Sequence, residues 1–165
     1  MDFLYSIVLF LHITAAVGMV AGLIGRELTR REARNAGDIH TLVALMKASG
    51  RFESLLVIPG SMAMLVIGVV LAFMGGWPLF GFLQGASSNW LLVSVVLTLA
   101  MFPLVSLVFL PRGKVYEAAL GDAVSRGQVT GALTAAFDDG TVRTGHIVEG
   151  ALVAVVLFLM VAKPF

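Results

Sequence analysis

Residues 141–162, TVRTGHIVEGALVAVVLFLMVA, decide the fold. From Gly150 to Ala162 every side chain is apolar or absent, and just before that run Arg143, His146 and Glu149 recur at every third position. On a helix these three share a face. With Arg143 at a water interface, Glu149 lies roughly 9 Å deeper at about 1.5 Å per residue. A carboxylate at membrane depth costs on the order of 2.5–3.5 kcal/mol on insertion scales unless it is paired, protonated or facing water. The stretch reads as a membrane-spanning helix whose polar groups must meet something elsewhere in the chain.

Composition agrees with that reading. A hydrophobic share of 59% and a mean hydropathy of +0.98 over 165 residues lie far above the norm for soluble domains. Eleven basic and ten acidic residues nearly cancel, so no net field argues for nucleic acid as a partner. The absence of cysteine excludes disulfides, iron–sulfur clusters and thiolate metal sites. The opening MDFLYSIVLFLH is acidic where a signal peptide is basic, which makes it a retained first helix.

Four windows have the length and apolarity of a span: Phe3–Gly25, Ser54–Met74, Trp90–Leu110 and Gly145–Ala162, the last extending as helix toward Thr141 so that the span covers about residues 143–162. Six of the eleven basic residues fall between Arg26 and Arg51 and four more between Arg112 and Arg143, whereas GGWPLFGFLQGASSN (75–89) has no charge. The positive-inside rule makes the two charged segments cytoplasmic, places both termini on the outer side of the membrane, and sets Trp77 and Trp90 at the outer interface.

The pattern RELTRREARNA predicts that the first helix projects past the membrane and turns at Asn35–Gly37, with Asp38 as N-cap of a helix through HTLVALMKAS. KVYEAALGDAVSRG and QVTGALTAAFDD predict two short helices, with a stop and new start at Gly140–Thr141. Pro59-Gly60 and Pro103 predict kinks in the second and third spans. The fold class is all-α: a polytopic membrane protein with four transmembrane helices in a bundle, helical cytoplasmic extensions and two halves of similar plan, forming one transmembrane domain over residues 1–165.

Glu53, His146 and Glu149 all fall in the inner part of the bundle by depth. Two carboxylates and an imidazole are ligand types for a divalent metal such as iron, manganese or zinc. They equally suit a proton or ion pathway, or a structural cluster in which a glutamate pairs with Arg26, Arg51, Arg112 or Arg143. His12 lies nine residues in from Phe3, roughly 13 Å from the outer edge and away from the level of His146. It is a candidate axial ligand for haem b, with Met101 the methionine nearest in depth. A buried histidine bonded to Ser94, Thr98 or a backbone carbonyl is the alternative. Met62 and Met64, two residues apart on a helix, point away from each other and read as packing. His40 reads as solvent-exposed. Gly18 and Gly22 form a GxxxG pair that lets another helix approach closely, a candidate surface for a homo-oligomer or a larger membrane complex.

LHITAAVGMVAGLIGRE in the first span, RFESLLVIPGSMAMLVIGVVL in the second and TGHIVEGALVAVVL in the fourth resemble a family of small four-helix bacterial integral membrane proteins and, more distantly, the membrane domain of the copper-resistance protein D superfamily. The resemblance implies copper or haem chemistry. Relatives of that superfamily carry an aromatic residue after the small residues of span one, where this chain has Gly18-Met19, and a second histidine placed for haem is missing here. No Walker loop, dinucleotide fingerprint, serine triad or HExxH motif stands in the sequence, which argues against an enzyme. The expected function is a small accessory or redox-linked membrane component, with a transporter or ion-permeation protein and a structural subunit of a complex as the competing classes.

Overall fold

The computed structural model describes residues 3–165, all of whose regular structure is helical. Its contacts divide the chain into two compact units, one ending at Trp77 and the other running Pro78–Phe165. Four helical stretches are long and apolar enough to cross a membrane.

In the first unit α1 runs Phe3–Arg34. At about 1.5 Å per residue it measures about 48 Å, well beyond the roughly 30 Å of a hydrocarbon core, so the polar RELTRREAR end projects as the sequence predicts. The chain turns at Asn35–Gly37 and enters α2 (Ile39–Phe52), capped by the Asp38 carboxylate, which accepts the Thr41 N–H at 2.9 Å. Gly50 does not interrupt it. The helix passes through a π-helical segment, Glu53–Val57, into α3 (Ile58–Met74) and so runs unbroken from Ile39 to Met74. Ser49 meets Arg26, Gly60 meets Met19 and Gly68 meets His12: partners fall in number as positions rise, so α1 and the α2–α3 rod are antiparallel. Ala33, Ile39 and Leu42 form a buried knot at the polar end of this hairpin.

The second unit has the same ingredients in the opposite order. A short 3₁₀ turn, Gly81–Gln84, precedes α4 (Trp90–Leu104), a π-helical segment Val105–Phe109, and α5 (Leu110–Arg126). The predicted short helix after the third span is thus the end of one continuous rod. Gly127, at φ 66, closes α5 in the left-handed conformation that favours glycine. Then α6 (Gly131–Phe137) follows, capped by Thr130, and α7 (Gly140–Ala162) returns antiparallel to α4–α5, with Arg112 meeting Asp139, Phe109 meeting His146 and Asn89 meeting Phe165. Ala123, Leu133 and Phe137 are buried at the polar end, with Tyr116 edge-on to Phe137.

The two π segments have one cause. ESLLVIP (53–59) and VSLVFLP (105–111) share serine, leucine and proline at the same spacing. A proline has no N–H and its ring collides with the carbonyl four residues back, here Leu55 for Pro59 and Leu107 for Pro111. Widening the helix by one residue relieves the collision. The residue before each proline then donates five positions back, Ile58 to the Glu53 carbonyl and Leu110 to the Val105 carbonyl. Ser54 and Ser106 turn their hydroxyls onto carbonyls of the preceding turn, Arg51 at 3.4 Å and Phe102 at 3.0 Å. At Pro59, where a kink is expected, the helix instead carries a π turn placed ahead of the proline. Beside Pro103, which sits inside α4, Pro111 carries the second such turn, a role absent from the sequence reading.

Gly22 faces this widened segment. A Cβ there would stand 2.7 Å from Leu56 Cβ and 2.9 Å from Val57 Cγ2, whereas Gly18 has nothing within 4 Å. One half of the GxxxG pair thus serves contact within the unit. Gly22→Ile is expected to destabilise the protein by about 1–3 kcal/mol through overpacking, with Gly18→Ile near neutral, as read by thermal or denaturant unfolding in mild detergent. The second expectation concerns pH. Hydrogen bonding from Thr41 holds the Asp38 carboxyl below its usual range. Its stabilisation of α2 is fully present above the unfolded-state value of about 4 and disappears as pH falls through the lower folded value. Amide exchange at the start of α2 should be faster in Asp38→Ala than in wild type at neutral pH, and the two should converge in acid.

Candidate functional site

The polar residues of the spans gather at two places. In the second unit α7 starts where Asp139 accepts the Thr141 and Val142 N–H groups and binds the Arg112 guanidinium of α5. That bridge fixes the register between the two helices. Six residues beyond Asp139, a Cβ on Gly145 would stand 2.8 Å from the Phe109 ring, so only glycine admits this approach. Phe109, the last residue of its π segment, thereby stacks on His146 with centroids 4.4 Å apart and planes inclined by 20°. One turn further, His146 Nδ1 lies 3.2 Å from Glu149 Oε2, with side chains 16% and 13% exposed. The i, i+3 spacing read from the sequence is thus a real contact in a largely buried setting.

In the first unit Arg26 and Glu53 form the polar centre, 2.6 Å apart, with the arginine side chain 10% exposed and the glutamate 36%. Ser49 donates to the Arg26 carbonyl at 3.4 Å. Glu53 opens the π segment, so the widened turn aims it at α1. Of the arginines considered as partners for the glutamates, Arg26 takes Glu53, and Glu149 meets His146. Within neither unit do three His, Asp or Glu side chains gather as a ligand set among the described residues.

His12 lies on α1 against α3. Its ring occupies the space above Gly68, whose added Cβ would stand 3.1 Å from the imidazole Cε1, and the Met64 backbone is its polar neighbour. Glycine at 68 leaves room for the ring against α3. Its Nδ1 is buried without a hydrogen-bond partner. Ser94 and Thr98, considered as partners, instead donate to carbonyls of their own helix, Trp90 and Ser94, at 2.8 Å each. Met101 lies on α4 in the second unit, Met62 is exposed and His40 is exposed. The sequence reading did not single out the Arg112–Asp139 bridge or Phe109. A carboxylate just before Gly140-Thr141 was the available signal for the first, while only the fold places Phe109.

These features define a class: an integral membrane protein made of two antiparallel span pairs, each with a proline-linked π turn and a buried polar contact. Residues 6–164 match the family described as predicted integral membrane protein (DUF2269), and the chain belongs to that family. No curated protein matches it, and neither does any solved structure. Nothing in the family match ties the chain to the copper-resistance protein D superfamily.

The Arg26–Glu53 contact predicts energetic coupling. A double-mutant cycle with Arg26→Met and Glu53→Gln, followed by detergent unfolding, should return a coupling of about 1–3 kcal/mol, the upper end being limited by the partial exposure of Glu53. Additive losses would show that the pair contributes packing only.

Proposed function

We propose that this chain is a small proton-handling accessory component of a bacterial inner membrane, with His146 and Glu149 as the pair that takes up and releases the proton. The observation that carries the reading is the 3.2 Å contact between His146 Nδ1 and Glu149 Oε2 in a setting largely closed to solvent. Ionisable groups at such depth are costly, so a buried pair able to hold a proton between an imidazole and a carboxylate marks a working site by default. The proton can sit on either group with the same total charge. Phe109 holds the ring flat against the π segment and fixes its orientation toward the carboxylate. The basic segments 26–51 and 112–143 orient the pair toward the cytoplasmic side under the positive-inside rule.

The test is proton flux into vesicles containing the purified protein, driven by a potassium diffusion potential and read with a trapped pH dye. Wild type should exceed empty vesicles, and Glu149→Gln should reduce the flux about tenfold. Arg31→Gln, which removes only an exposed contact with Glu27, should leave it unchanged. Equal flux in wild type and Glu149→Gln would overturn the reading.

The unpartnered Nδ1 of His12 favours a second reading, in which haem b or a metal takes that nitrogen as ligand once α1 and α3 separate locally. An absorption spectrum and elemental analysis of the purified protein decide it. A Soret band lost in His12→Ala supports ligation, and a colourless, metal-free sample ends it.

A further inference from the structure

At the end of α4 away from Arg112, the chain carries an ordered loop with an apolar apex. Asn89 Oδ1 accepts the Phe82 N–H at 2.8 Å and Gln84 Oε1 accepts the Phe80 N–H at 3.1 Å. Gly81 has φ 49 and is closed over by Asn89, so no side chain fits there, and Gly85 ends the turn at φ 74. The loop thus satisfies its backbone with its own side chains, while Phe80, Phe82 and Leu83 point outward, 53%, 63% and 69% exposed. The same end of the unit holds the Phe165 carbonyl, which accepts the Asn89 and Trp90 N–H groups at 3.0 and 3.1 Å, and Lys163, whose Nζ lies 5.3 Å from the Trp90 ring centroid.

We propose that this loop is a lipid anchor: Phe80, Phe82 and Leu83 insert into the boundary between headgroups and acyl chains rather than lying in water. Three arguments select lipid as the occupant. The patch is continuous with a span, since α4 begins at Trp90. The sequence from Gly75 to Asn89 carries no charge, so no ionic group in it pairs with a charged protein surface or holds it in bulk water. Lys163, exposed at the same end of the unit, supplies a cation able to reach the headgroups.

The absence of cysteine makes the test direct. Leu83→Cys and, separately, Phe82→Cys are labelled with bimane in the full chain and placed in phosphatidylcholine–phosphatidylglycerol vesicles. References are Val96→Cys, exposed on α4, and Gln128→Cys, exposed in the polar connection between α5 and α6. Both loop labels should be quenched by lipids brominated high on the acyl chain as strongly as the Val96 label. Iodide should quench them about fivefold less than the Gln128 label. Iodide quenching at the level of Gln128 would overturn the proposal. So would shielding from both quenchers, because protein and not lipid would then cover the apex.

Discussion

A helix crossing hydrocarbon has no water with which to satisfy its backbone, and this chain places Pro59, Pro103 and Pro111 in or beside its spans. The way it meets that constraint organises both units. At Pro59 and Pro111 the preceding turn widens so that the last available N–H reaches one residue further back, and a serine hydroxyl covers a carbonyl nearby. The widened turns are also where polar chemistry begins. Glu53 opens one of them and Phe109 closes the other, so a backbone repair sets the direction of the Arg26 partner and of the ring that holds His146.

Packing around those turns relies on close approach more than on exclusion of water, because lipid is as apolar as the side chains themselves. Gly22 against Leu56 and Val57 and Gly145 beneath Phe109 allow contacts that a methyl group would force apart, and Gly68 beneath His12 allows one that a methyl group would crowd. Ion pairs then set the register at the polar ends, Arg26 with Glu53 and Arg112 with Asp139. The exposed Glu27–Arg31 and Asp122–Arg126 pairs one turn apart add only tenths of a kcal/mol each by comparison. Shape complementarity and a few shielded polar contacts therefore carry most of the specificity within each hairpin.

Much of this was legible in the sequence because its signals are local. Long apolar runs gave the four spans, the polar RELTRREAR end gave the projection of α1, Asp38 gave its cap, and the spacing of His146 and Glu149 gave their contact. What escaped depends on partners distant in the chain. Glu53 had several arginines within plausible depth, and only the antiparallel register of α1 with the α2–α3 rod selects Arg26. Gly22 read as a surface for another molecule because a glycine in a span has the same composition whether it faces its own chain or a neighbour. The π turns were missed because a proline announces a disturbance without stating whether the helix will bend, break or widen.

A π turn holds one residue more than the α helix it interrupts, so counting along the chain slips by about one position, roughly 100°, across Glu53–Val57 and Val105–Phe109, while the helical surface stays continuous in space. An apolar stripe that is unbroken on the molecule is therefore out of phase with itself in the sequence. These segments are accordingly the points where the chain length of a span can change by one residue with the least disturbance to the faces on either side.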